Sequence, residues 1–191
     1  EKAYGIVLPE GAGTTQIKGG WISSFYGSFE NLTEFNAKLG EPVDDVLPAG
    51  KVSVAHTDAS SGQTYYQIED LTNPADVAAT IGADQYASVK AAIANLKDGE
   101  TLVLQKDFTA NEQVKITAVN ATLDLNGHDV TNTASYGVYA NTSGGPTTGG
   151  TFCLKNSNSK TSTVSATSVS YAALYLYGPS KGNATLLVEG N

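Results

Sequence analysis

The sequence contains no arginine and no methionine, and it has a single cysteine and a single tryptophan. Without arginine the chain lacks the bidentate fork with which proteins usually clamp phosphate and carboxylate. Positive charge is scarce altogether: 11 lysines stand against 19 acidic residues, a formal net charge of −8 over 191 residues. A field of that sign repels polyphosphate and excludes nucleic acid as a partner. One cysteine, Cys153, excludes an internal disulfide. No apolar run approaches the roughly 20 residues that span a bilayer, so this segment is not expected to insert into a membrane. Metal and cofactor motifs are missing too. The acidic pairs Asp44-Asp45 and Glu69-Asp70 lack the spaced oxygen set of a calcium loop. The glycine-rich stretch 144–150 lacks the lysine and following helix of a phosphate loop, and reads as a flexible excursion.

What is present is a drift in pattern. Residues 1–75 read as a small α+β module. Strands are expected over 4–8 and 16–25, divided by Gly11-Ala12-Gly13. A helix is expected over 28–39, because Ser28 can cap it and Phe29, Leu32, Phe35 and Leu39 recur at spacings of three and four. A loop follows over 42–48, then two strands, 51–57 and 63–71, joined as a hairpin through Asp58-Ala59-Ser60-Ser61-Gly62. Asn73-Pro74 ends the module, and residues 76–191 form the second. There Ser88 caps a helix whose apolar stripe is Val89, Ala92, Ile93 and Leu96, and Asp98-Gly99 stops it.

Beyond residue 100 the chain repeats itself loosely. Thr122-Leu123-Asp124-Leu125-Asn126-Gly127 returns 29 residues later as Thr151-Phe152-Cys153-Leu154-Lys155-Asn156, and 34 residues after that as Thr185-Leu186-Leu187-Val188-Glu189-Gly190. A second strand type, Tyr136-Gly137-Val138-Tyr139, is echoed by Ala172-Ala173-Leu174-Tyr175-Leu176-Tyr177. Short strands recurring at this period without helices between them imply a solenoid, each turn stacked about 4.8 Å above the last. Leu123, Leu125, Phe152, Leu154, Leu186 and Val188 then form inward columns, with Asn126 and Asn156 at the corners. An antiparallel sandwich is the competing architecture.

Three segments carry a resemblance. They are 77–93, with Tyr86-Ala87-Ser88-Val89; the run Asp98-Gly99-Glu100-Thr101-Leu102-Val103-Leu104-Gln105-Lys106-Asp107; and Ala121-Thr122-Leu123-Asp124-Leu125-Asn126-Gly127-His128, with Gly150-Thr151-Phe152-Cys153-Leu154-Lys155-Asn156 similar to the coil that follows. Together they resemble the opening of right-handed parallel β-helix modules in bacterial cell-surface and secreted proteins, of the pectate-lyase-like superfold. The resemblance implies a mainly β chain with an N-terminal capping helix on its first coils, and an extracellular or cell-surface setting. It does not fix a function, since such coils serve adhesins, stalks and polysaccharide-cleaving enzymes alike. Because the chain opens on Glu1 and stops inside the repeat pattern, further coils are expected after Asn191.

Candidate chemistry is thin, and no catalytic residue is nominated. Asp124, His128 and Asp129 are expected to serve a strand end and its corner, with Asp124 pointing outward. His56 and Asp58 are expected to serve a strand end and its turn, and Cys153 to be a small buried apolar group. Tyrosines are the exception. Tyr136, Tyr139, Tyr171, Tyr175 and Tyr177 fall on or beside the second strand type, where exposed rings would stack on sugar faces. Tyr136, Tyr139, Tyr175 and Tyr177 are therefore the candidate ligand-binding residues. The expected function is a non-catalytic surface module acting in adhesion or glycan binding. The alternatives are part of a polysaccharide lyase or glycoside hydrolase with its catalytic residues elsewhere, and a structural spacer.

Overall fold

The chain divides into two compact units, Glu1–Asp76 with Tyr86–Ala91, and Val77–Gln85 with Ala92–Asn191. The computed structural model describes residues 6–8, 15–23, 25–27 and 32–190. In the front unit three short strands each pair in parallel with a strand 17–19 residues further along the chain. They are β1 (Ile6–Leu8), β2 (Thr15–Ile17) and β3 (Trp21–Ile22), pairing with β4 (Phe25–Gly27), β5 (Leu32–Phe35) and β6 (Lys38–Leu39). Antiparallel to β6 runs β8 (Thr64–Asp70), which forms the expected hairpin with β7 (Lys51–Thr57), in register from Lys51↔Asp70 to Thr57↔Thr64. The helix expected over 28–39 does not form. Residues 28–31 lie outside the described residues, as does Gly11-Ala12-Gly13, and the rest of the segment is two strands, Leu32–Phe35 and Lys38–Leu39, linked by 36–37. Its helical spacing concealed a period of two: Phe35 is half-buried, and Ala37 and Leu39 are buried in a core with Ile22, Val43 and Leu47. The described residues up to Asp76 are therefore β with two 3-10 turns, Asp44–Val46 and Pro74–Asp76, where an α+β module was expected over 1–75.

After β9 (Ala79–Ile81) and β10 (Asp84–Tyr86), helix α1 spans Val89–Asn95. Ser88 caps it as expected, its hydroxyl accepting from the Lys90 amide at 3.1 Å. Ten strands follow: β11 (Thr101–Leu104), β12 (Phe108–Ala110), β13 (Lys115–Ile116), β14 (Ala121–Asp124), β15 (Val130–Asn132), β16 (Val138–Asn141), β17 (Thr151–Asn156), β18 (Val164–Ala166), β19 (Leu174–Tyr177) and β20 (Thr185–Gly190). From β11 the chain visits three ladders in rotation: β11-β14-β17-β20, β12-β15-β18 and β13-β16-β19. Every pairing within them is parallel. Only at the start does β9 meet β11 antiparallel. The chain is mainly β, built on parallel sheets.

Apolar columns run through the ladders. Leu102, Leu123, Leu154 and Val188 are successive register partners, as are Ala121, Phe152 and Leu186. Leu102, Leu123 and Phe152 are buried, whereas Leu186 and Val188, on the edge strand β20, are exposed. The 34-residue offset holds, with Thr151 opposite Thr185. The 29-residue offset does not, because Ala121 faces Phe152, an offset of 31. A slip of two leaves every side chain on its expected face.

The corner after β14 takes left-handed backbone at Asn126 (φ 48°) and Gly127 (φ 83°). Asn126 Nδ2 donates to the Leu104 carbonyl at 3.0 Å, and Asn156 Oδ1 accepts from the Gly127 amide at 2.9 Å, so these asparagines tie the corner to the ends of β11 and β17. Asp124 falls on the same face as Thr122 by alternation, but it is not left to solvent there. It is buried, and its Oδ1 accepts from the amides of Asn126 at 3.0 Å and Ser157 at 2.9 Å. Nor is 144–150 a loose excursion: the Gly150 amide donates to Thr142 at 2.9 Å, and its carbonyl accepts from Thr185 at 3.0 Å.

Candidate ligand-binding face

Strand alternation decides which way the tyrosines point. In β16, Val138 and Ala140 are buried, which turns Tyr139 and Asn141 to the outer face. In β19, Leu174 and Leu176 are half-buried, and Tyr175 and Tyr177 are exposed. Register then stacks Lys115, Tyr139 and Tyr175 on three consecutive rungs and sets Asn141 beside Tyr177. Gly137 permits this close approach, since a Cβ there would lie 2.4 Å from the Ala173 carbonyl oxygen.

The rings form one cluster. Tyr136 stacks on Tyr175 with centroids 4.4 Å apart and meets the edge of Tyr171 at 5.0 Å. Tyr139 lies 5.1 Å from Tyr175 and 5.7 Å from Tyr136. Lys115 Nζ sits 5.2 Å from the Tyr139 centroid, within cation–π range. Such aromatic pairs are worth about 0.5–1.5 kcal/mol each beyond the area they bury, so the platform is set before a ligand arrives. Tyr177 shares the face but makes no ring contact among the described residues. Of the four candidates, three are brought together; Tyr171 completes the cluster in place of Tyr177. Lys115 was not foreseen, although Val114-Lys115-Ile116 is a short alternation that marks an outward lysine.

Burial pushes the Tyr139 hydroxyl above the ordinary tyrosine range, with Tyr175, Tyr177 and Tyr136 adding to it. It is protonated at neutral pH and remains a donor. The face thus offers ring surfaces, phenolic hydroxyls and one lysine.

Elsewhere the ionisable candidates are committed to the fold. His56 pairs with Glu69 at 2.7 Å, not with Asp58. Asp58 binds Lys38 and accepts from the amides of Ser60 at 3.0 Å and Ser61 at 3.1 Å. Asp70 pairs with Lys51, Asp45 with Lys90, and Asp44 accepts from the Ser53 amide. His128 Nδ1 lies 3.1 Å from Asp107, and Asp129 accepts from the Thr163 amide at 2.7 Å. Cys153 is buried, and burial raises its thiol pKa. It borders a shallow groove of about 360 Å³ that Thr122, Lys155 and Leu187 also line. Among the described residues no group of three or more His, Cys, Asp or Glu could hold a metal ion, and no helix is long and apolar enough to cross a membrane.

The Asp58 turn carries a pH dependence. Its carboxyl is held well below the usual carboxylate range, first by Lys38, then by Ser60 and Ser61. A depressed carboxylate stabilises the fold above its unfolded pKa, and the contribution is lost as pH falls through the folded value. The front unit is therefore expected to melt at a lower temperature at pH 3 than at pH 6. Asp58→Asn should lower the pH 6 midpoint and shrink the difference between the two. An Asn variant with the wild-type pH dependence would contradict this.

Comparison with family models, curated proteins and solved structures returned no match to this chain.

Proposed function

We propose that this chain is a non-catalytic, extracellular bacterial surface module that binds glycan through its tyrosine face. The observation that carries this reading is the cluster of Tyr136, Tyr139, Tyr171 and Tyr175, stacked over Lys115 and left open on the outer side of one ladder. Planar rings beside hydroxyl and amide donors suit a pyranose, whose apolar face stacks while its rim hydrogen-bonds. In this reading the three ladders are the faces of a right-handed parallel β-helix. Support comes from the strict rotation of strands among them and from the strong right-handed preference of parallel crossovers. A rigid coil holds the rings at fixed spacing, so binding would cost little ordering entropy.

A glycan array tests the reading directly. The chain should bind defined glycans, and Tyr175→Ala should weaken that binding at least about tenfold, because the ring contacts to Tyr136 and Tyr139 both meet at Tyr175. Tyr175→Phe, which keeps the stack, should retain most of it. No glycan bound by the wild type, or binding indifferent to Tyr175→Ala, would overturn the proposal. Unsaturated product formed from uronate polymers would favour a lyase.

A further inference from the structure

The front unit carries a second row of rings, on the outer face of the sheet ordered β3-β6-β8-β7. Ile22 and Leu39 turn into the core, which leaves their neighbours Trp21 and Lys38, register partners on β3 and β6, on the opposite face. Tyr65 and His56 are register partners on β8 and β7. Their side chains meet: Trp21 approaches Tyr65 edge-on with centroids 6.2 Å apart, and Lys38 Nζ sits 4.5 Å from the Tyr65 centroid. His56 stacks on Tyr65 at 5.4 Å. Trp21, the sole tryptophan, nonetheless leaves 47 % of its surface in solvent.

The polar groups around these rings are already matched, Lys38 with Asp58 and His56 with Glu69. An anionic ligand would meet Glu69 and a whole-chain charge of −8, and a cationic one would meet Lys38 already seated at Tyr65. A neutral, polyhydroxylated chain meets neither obstacle. Its ring faces can cover the open indole, and its hydroxyls can use the lone pairs and N–H groups that the ion pairs leave over.

We propose that Trp21, backed by Tyr65 and flanked by the Lys38–Asp58 and His56–Glu69 pairs, is a binding site for a neutral carbohydrate chain, separate from the tyrosine face. It does not depend on that face. Because Trp21 is the only indole, its emission reports this site alone. The chain should be titrated with neutral hexasaccharides of gluco, xylo, manno and galacto configuration. At least one should shift the emission saturably, equally well in 0.1 M and 0.5 M NaCl. By calorimetry, Trp21→Ala should weaken that binding at least about tenfold and Trp21→Phe less, and Tyr175→Ala should leave the emission response intact. The proposal fails if no hexasaccharide shifts the emission, or if Trp21→Ala binds like the wild type. It fails equally if salt abolishes the response, or if the emission follows protein concentration, as it would were the occupant a second copy.

Discussion

Phe152→Ala is expected to destabilise the Val77–Asn191 part of the chain by about 3–5 kcal/mol, much of the total stability of a typical domain. Phe152 is the largest fully buried side chain among the described residues, with Ala121 and Leu186 as its register partners on the two neighbouring strands. Alanine would leave a void between rungs that the parallel ladder cannot close, because every strand on either side is fixed by its own backbone bonds. The thermal midpoint should fall by about 10 °C or more. Phe152→Leu, which keeps most of the volume, should cost far less. A loss under about 1 kcal/mol for the alanine variant would mean that the column is not packed as described.

Gly150→Ala is expected to be nearly as damaging, by about 1–3 kcal/mol or more, in a segment whose composition suggests tolerance. A Cβ at Gly150 would lie 1.9 Å from the Val119 carbonyl oxygen, a backbone atom that cannot rotate away. The collision would force apart the two bonds that Gly150 makes, to Thr142 and from Thr185. Gly144, in the same stretch, is the internal control. Its Cβ would first meet a Val119 methyl at 3.4 Å, so Gly144→Ala should cost no more than about 0.5 kcal/mol. Chemical denaturation of the two variants side by side checks the contrast, and equal effects would contradict it.

These two positions mark where the sequence is legible and where it is not. Alternation around Leu123, Phe152 and Val138 reveals the inner face of each strand, because a strand's period of two is local. The hairpin over 51–70 is legible for the same reason, with Asp58 and Gly62 supplying the turn. Register is not local. The offset of 31 between Ala121 and Phe152 depends on how much chain each corner consumes, and repeated letters such as Thr-Leu-Asp-Leu align the faces without fixing it. The segment 28–39 misled because Phe35 and Leu39 satisfy a helical spacing and a strand spacing at once. What decides between them is Ala37, a residue too small to register as apolar signal yet buried beside Leu39. The glycines at 149 and 150 look like flexibility in one dimension and are close contacts in three. The tyrosines were legible as a group, since their strand type recurs, but Lys115 joins them only through a pairing distant in sequence.

The parallel register is best tested with the single native thiol. Thr122 faces Cys153 directly across β14 and β17, on the outer side, at the spacing of adjacent strands of about 4.8 Å. That separation falls within the range a disulfide bridges. Thr101 lies one further rung away, opposite Thr122. Mild oxidation of Thr122→Cys should yield a monomer with an internal 122–153 disulfide, identified by peptide mapping, whereas Thr101→Cys should keep its thiols free. Free thiols or intermolecular dimers from Thr122→Cys, or an internal bond from Thr101→Cys, would contradict the stacking of these rungs.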